Sequence, residues 1–505
     1  MASNFIILII AFLFLGAFTI PLINKFGKKI RNSYILLILA LINVFAILLY
    51  KEIIFKGSII YSVGAKIPSL ASIQGLPVRI ILTADALSGF LTLLFVFITS
   101  LVFLYSIQTL KEHFSIDKFY ILSFLLLTGI LGFLFTGDFF TLFVFYEINT
   151  IATAGLIAFF RNRESLKSSF NYLIVFAIGS LFLLLGIGFL YGKYGALNMA
   201  IIANNLDFLL LDKIALVFII SALLLKAGAF PFYFWKPQIY KATPIPAIIL
   251  SMMSSLAALY VLFKIVFNVL GYNMALGWTL VLFSVISIFA GVFFALKEKS
   301  IKRILAYLAI SELGYIILGI SAGMIMASSE FGFMAIKGGL FHMVNDILDI
   351  SFLFLIVGVI FYISKAKNIF EIQGIGHKHP FLSGLFFFGV LAVAGMPPLN
   401  GFASKIIIYE SIFHLSPVLT ILGIMGSILT LAVLIKVFAM IFLGTPSDDL
   451  EKYRKIPKLA VSIIIIFAVA MLLIGLFPKE FTNAFIDKSA SSLVDRQNYI
   501  RKIIH

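Results

Sequence analysis

Lys226 ends a long apolar run, Ile214-Ala-Leu-Val-Phe-Ile-Ile-Ser-Ala-Leu-Leu-Leu-Lys226, and the helix breakers Gly228 and Pro231 follow at once. A charge at bilayer depth costs roughly 2.5 kcal/mol or more, so it persists only with a partner, a water-filled cavity or a task. A lysine near a helix end can extend its stem to the interface. Lys226 is too deep for that unless the break admits water. Glu147 lies in a second apolar run, where it suits either an ion path or a structural pairing with Lys226. Opposite charges that close would titrate together. Lys405 stands beyond a second break, Gly395-Met-Pro397-Pro398.

Other titratable residues fall in similar text. His342, Asp346 and Asp349 share one helix face by their spacing. The trio suits a proton or sodium relay. A metal site would need further ligands, and none lies near in the sequence. Glu312 suits either the path or an acid at a protein interface. Ser254 is a polar residue within another apolar run, expected as a crossing point between these groups. Lys264 and Lys436 sit nearer the ends of their spans, so a role in the path and simple snorkelling both stay open.

The elements that must position these residues are membrane helices. The chain is 62% hydrophobic and 12% charged, with 56 Phe in 505 residues. Soluble domains are nearer half apolar and a quarter charged. With about 20 apolar residues per crossing, about fourteen spans are expected. The first, Phe5 to Leu22, lacks a basic leader and a cleavage site, so it is expected to remain as a span. The net charge of +16 suggests nucleic acid, but the basic residues sit in short connections between spans. Lys25, Lys28, Lys29 and Arg31 lie in one odd-numbered connection. Arg161, Arg163 and Lys167 lie in another, and so do Lys297, Lys299, Lys302 and Arg303, and Lys452, Arg454, Lys455 and Lys458. That bias places odd connections in the cytoplasm and both termini outside a cell (inner) membrane. The stretch from Lys56 to Ile81, with Gly57, Gly64, Pro68, Gly75 and Pro77, is expected to be an external hairpin-like loop. The tail after Phe477 is polar and suits a short surface helix.

The chain repeats itself. Glu147 matches Glu312, the run from Ser180 matches that from Ser351, Ala227-Gly-Ala-Phe-Pro231 matches Ala394-Gly-Met-Pro-Pro398, and Val261-Leu-Phe-Lys matches Val433-Leu-Ile-Lys. The unit is five spans, an odd number, so its copies are expected to be inverted, as in many secondary transporters. The fold class is therefore an all-α polytopic membrane protein with two inverted five-helix repeats and two broken helices. Expected divisions are 1–110 (three helices and the external loop), 111–270 and 271–445 (the repeats) and 446–505 (last helix and tail). The backbone groups freed at each break require protein or water, so each half is expected to hold a polar cavity.

Four segments resemble the antiporter-like membrane subunits of respiratory complex I, Mrp-type sodium/proton antiporters and membrane-bound hydrogenases. They are Gly137-Asp-Phe-Phe-Thr-Leu-Phe-Val-Phe-Tyr-Glu147, Leu225-Lys-Ala-Gly-Ala-Phe-Pro-Phe-Tyr-Phe-Trp235, Lys302-Arg-Ile-Leu-Ala-Tyr-Leu-Ala-Ile-Ser-Glu-Leu-Gly-Tyr315 and Gly395-Met-Pro-Pro-Leu-Asn-Gly-Phe-Ala-Ser-Lys405. The resemblance implies that Glu147, Lys226, His342 and Lys405 line a hydrated path across the middle of the membrane. It also exposes departures. Ala257 stands where such subunits usually carry a lysine in the eighth span. Asp346 and Ile350 replace a histidine and a lysine of the eleventh. Glu312 stands where a glutamine is usual.

Three functions follow as expectations. The first is a proton- or sodium-translocating subunit of a redox-driven complex of the hydrogenase or NADH dehydrogenase type, with other membrane subunits and peripheral redox subunits as partners. The second is a subunit of an Mrp-type antiporter, since carboxylates at the departures favour hard cations such as sodium. The third is a scaffold that no longer conducts. The sequence holds no phosphate loop, nucleotide fingerprint, redox-metal motif or nucleophile triad. It also has no cysteine. No cofactor or metal is expected in this chain, and any redox chemistry is left to its partners. The resemblance also points away from the most distal complex I subunit type, whose long lateral helix has no counterpart here.

Overall fold

In a computed structural model, residues 4–63, 80–111, 113, 115–364, 373–444 and 454–504 are described. The turns expected at Gly64, Pro68, Gly75 and Pro77, Lys452 and the boundary at 445 lie outside these residues. The chain opens with α1 (Phe5–Ile23) and α2 (Lys28–Lys56). A hairpin follows, β1 (Ile59–Val63) against β2 (Ile80–Ala84), antiparallel with Ile59 opposite Ala84. The expected hairpin-like loop is thus two paired strands at its base. Next come α3 (Ala86–Thr109), α4 (Ile116–Phe135), α5 (Phe139–Ile157), α6 (Arg163–Tyr194) and α7 (Met199–Asn205). The middle holds α8 (Leu210–Ala227), α9 (Trp235–Ala242), α10 (Ile245–Lys264), α11 (Met274–Lys297), α12 (Ile301–Ile325) and α13 (Glu330–Ser364). The remainder is α14 (Ile375–Lys378), α15 (Pro380–Ala394), α16 (Asn400–Phe413), α17 (Pro417–Phe438), α18 (Lys458–Leu476), α19 (Pro478–Phe481), α20 (Asp487–Val494) and α21 (Arg496–Ile504).

Among the described residues, 12 helices are long and apolar enough to cross a membrane uninterrupted. The two other expected spans are the broken ones, α8 with α9 and α15 with α16. The starts follow side-chain chemistry. Asp85, Asp138 and Asn162 accept the free backbone N–H groups at the heads of α3, α5 and α6. Proline stands in the first turn of α10, α15 and α17, where its missing N–H costs nothing.

The core is made by α10, α12 and α13. The first is buried along its whole apolar length and the others nearly so, while α1, α2, α6, α17 and α18 expose most of theirs. Those outward faces carry apolar stripes such as Phe170, Ile174, Ile178 and Leu181 on α6, a surface suited to lipid or to another membrane subunit.

Both breaks are built alike. α8 ends at Gly228 with φ +69° and α15 at Gly395 with φ +77°, 167 residues apart. This left-handed conformation suits glycine because it has no Cβ. The two halves share a second device: α10 and α17 both run on into a π-helical end, Ile265–Leu270 and Ala439–Leu443. The polar tail forms three short helices rather than one, α19, α20 and α21, and Arg496 ties it down by donating to the carbonyls of Ala203 and Val269.

Candidate ion-translocation site

Lys226 occupies the last turn of α8 and is 1% exposed. The helix dipole favours a cation there. Its Nζ donates to Thr150 Oγ1 at 2.9 Å and to the Tyr172 hydroxyl at 3.2 Å. The rings of Phe176, Tyr146 and Tyr172 surround it with centroids 4.5, 4.9 and 5.8 Å away. Aromatic faces attract a desolvated cation. The expected partner is not at contact. Glu147 exerts its charge on Lys226 but forms no ion pair with it. Glu147 is half-buried on the outward stripe of α5, in register with the exposed Phe140, Val144 and Ile151. Of the two readings the sequence leaves open for Glu147, direct pairing with Lys226 is not seen. Helical phase turns Tyr146 and Thr150 inward and leaves Glu147 one step round the helix.

The next residue inward on α5 is Asn149, fully buried. Its Oδ1 accepts from Ser254 Oγ of α10 at 2.9 Å, which joins Ser254 to the Lys226 side of the molecule. Across α10 stands Asp346 of α13, buried, with Oδ1 lacking a partner within the protein. Asn149 Nδ2, Tyr146 OH, Tyr240 OH, Asn345 Oδ1 and Asn400 Oδ1 share that condition. Buried polar atoms of this kind bind water or ions. They are the lining that polar cavities at the breaks would require.

The second half closes on itself. Lys405 of α16 lies 3.1 Å from Glu312 Oε2 and 3.2 Å from Oε1. Its Nζ also donates to the carbonyl of Val393, freed at the end of α15, at 2.8 Å. His342 Nε2 stands 3.1 Å from Glu312 Oε2, close but not aligned as a hydrogen bond. His342 Nδ1 meets Ser404 Oγ at 3.0 Å. Asn345 Nδ2 donates to Ser404 Oγ and the Asn400 carbonyl, and Asn400 Nδ2 donates to Asp349 Oδ1 at 2.7 Å. Glu312 is thus the direct partner of Lys405. Among the described residues, no three His, Asp or Glu converge as a metal site.

Two expected members lie apart. Lys264 is buried, donating to Thr83 Oγ1 and the Thr136 carbonyl, with the Tyr260 hydroxyl on Asp85 beside it. It closes the base of the hairpin at the end of α10, about 15 Å from Ser254 by helical rise. Lys436 is exposed and donates to the Leu296 carbonyl at 3.1 Å, which matches the snorkelling alternative left open for it. Its position in the last turn of α17 lets the stem reach out. Sequence reasoning missed Thr150, Tyr172, Asn149 and Ser404, whose hydroxyl or amide carries no signal on its own. It also missed Lys236, 1% exposed at the start of α9. A charge set among aromatics directly after a break, Phe234-Trp235-Lys236, was the available signal.

Residues 136–432 match the family model described as NADH:quinone oxidoreductase/Mrp antiporter, TM. The chain is 28% identical to the D subunit of the Na(+)/H(+) antiporter of Alkalihalophilus pseudofirmus, covering 88% of this chain and 90% of that one. It is 30% identical to the N subunit of the NADH-quinone oxidoreductase of Desulforudis audaxviator, over 81% of this chain and 84% of that one. Among solved structures it is similar to a chain of the membrane-bound sulfane sulfur reductase, an archaeal respiratory membrane complex. That likeness has a TM-score of 0.86 at 26% identity, over 99% of this chain and 100% of that one.

Proposed function

We propose, because this chain belongs to the NADH:quinone oxidoreductase/Mrp antiporter membrane family, that it moves protons or sodium ions through the membrane part of a redox-driven complex. The observation that carries this is the row of buried charges seated at both helix breaks. Lys226 is bonded only to hydroxyls, and Lys405 is locked to Glu312. An ammonium held by hydroxyls and aromatic faces can lose its proton without breaking an ion pair. One paired with a carboxylate holds its proton more tightly until that carboxylate is neutralised.

A charge arriving near Glu147 changes what Lys226 feels. Thr150, Asn149 and Ser254 carry the change to Asp346, and His342, Glu312 and Lys405 take it out of the second half. Asp349 orients Asn400, and so the head of α16, within this set. The chain supplies the path and its partners supply the energy. Those partners are other membrane subunits and, through the complex, peripheral redox subunits. A half-exposed carboxylate on the outward stripe of α5 fits a face covered by such a subunit. The basic odd connections support a cell-membrane orientation with both termini outside.

The test is ion transport by the assembled complex in proteoliposomes. Lys226→Ala should abolish transport while the complex still assembles; undiminished transport would sink the reading. The likeness to a Na(+)/H(+) antiporter subunit favours a second reading, in which ion gradients alone drive the exchange. Transport that needs sodium but no electron donor would select it. Flux that survives Glu147→Gln and Lys226→Ala together would instead leave the scaffold reading.

A further inference from the structure

We propose, resting on the path described above, that Lys236 is the proton-carrying group at its centre, and that the ion passing between the two halves is a proton. Lys236 follows directly on the break that positions Lys226. The Trp235 indole N–H donates to the Leu225 carbonyl at 2.9 Å and pins the head of α9 to the end of α8. The chain doubles back there, so the Lys236 stem lies across Gly228, where a Cβ would come within 2.8 Å of its Cε. The ammonium is 1% exposed, and it and the Asp346 carboxylate act on each other electrostatically without ion-pair contact. Asp346 Oδ1 and the Tyr240 hydroxyl, the latter on the same short helix as Lys236, both lack a hydrogen-bond partner within the protein. Buried polar atoms left this way are met by water.

The placement answers the break in the lysine row at Ala257 and Ile350. Where α10 passes between the halves it offers only Ser251, Ser254 and Ser255, since its charged residue, Lys264, lies at its far end. Lys236 enters from α9, within electrostatic reach of Asp346 of α13, instead. The transfer is simple. An N–H bond of the Lys236 ammonium breaks and an O–H bond forms on the Asp346 carboxylate through water, leaving a neutral amine and a neutral acid. The amine then takes a proton arriving from the Lys226 side. The ammonium has three donors and no lone pair, so it cannot ligate sodium; once it has given up a proton, the lone pair of the amine takes the next one.

The test is proton uptake, read by a pH-sensitive dye without sodium, by proteoliposomes holding the assembled complex. Lys236→Met and Lys236→Arg should both lower uptake at least about tenfold, the scale of losing a positioned proton-transfer group, at parental yield. Arginine keeps the charge and the length but does not release its proton. Near-parental uptake by the Arg variant would make Lys236 a fixed counter-charge and overturn the proposal. Failure of both variants to assemble would place Lys236 in the fold and overturn it too. Lys226→Ala separates the two claims: if it stops uptake while the Lys236 variants do not, only the role of Lys236 falls. If it leaves uptake unchanged, the path itself falls.

Discussion

Lys226 and Lys405 differ in what holds them, and so in what their loss should do. Lys405 is half of a buried ion pair. Lys405→Ala strands Glu312 in the core, and breaking such a pair costs about 3–5 kcal/mol. The thermal midpoint of the purified complex should fall, and adding Glu312→Gln should recover most of it. Lys226 has hydroxyl and aromatic partners but no contacting carboxylate. Lys226→Met should leave the midpoint unchanged or raise it while transport is lost, because an apolar side chain removes a buried charge. A midpoint that falls as far as that of Lys405→Ala would contradict the asymmetry. Depth in an apolar run singled out Lys226 and Glu147 from the sequence, and the place beyond a helix break singled out Lys405. Neither was enough to show that Glu147 turns outward, or that Glu312 rather than a more distant residue meets Lys405. One helical step, or one neighbouring helix, decides those contacts.

At the scale of elements, the two breaks are the devices that place charges at mid-membrane. A Cβ at Gly228 would have to sit in a left-handed conformation, at a cost of about 1–2 kcal/mol. It would also press on the Lys236 stem. At Gly395 the same change meets Lys405 Cδ at 3.0 Å. At Gly228 the Trp235 ring also stands 3.0 Å away, but at neither site is the close contact backbone, so Gly228→Ala and Gly395→Ala should assemble and yet transport several-fold more slowly, Gly228→Ala the more so. Gly401 is different, since its Cβ would come 2.0 Å from the Ala392 carbonyl, which is backbone. Gly401→Ala should force α16 from α15 and reduce the amount of assembled complex, read on a native gel. The Gly and Pro punctuation made both breaks legible in the sequence. The close backbone approach at Gly401 was not, because it depends on how the half-helices dock. Nor was the burial of Lys236, which comes from the chain folding back on α8.

For the whole molecule, the charge bias of the connections makes the topology testable. The chain has no cysteine, so single cysteines report cleanly. In intact cells an impermeant maleimide should label Ser491→Cys, on α20 beside the hairpin end of α2, and should spare Lys299→Cys, between α11 and α12. The reverse pattern would invert the orientation, and labelling of both would break the topology.

The amino-acid text alone was enough for the membrane class, the two broken helices among its spans and the charges buried beside those breaks. Each of these follows from local features: apolar length, helix-breaking residues and the cost of a charge in lipid. Which charges touch emerged only when the helices were packed. Packing paired Lys405 with Glu312, kept Glu147 from contact with Lys226, sent Lys436 to the surface and brought Lys236 within electrostatic reach of Asp346. Contact between groups far apart in sequence depends on the azimuth of each helix and on how the half-helices dock, and no local pattern encodes either.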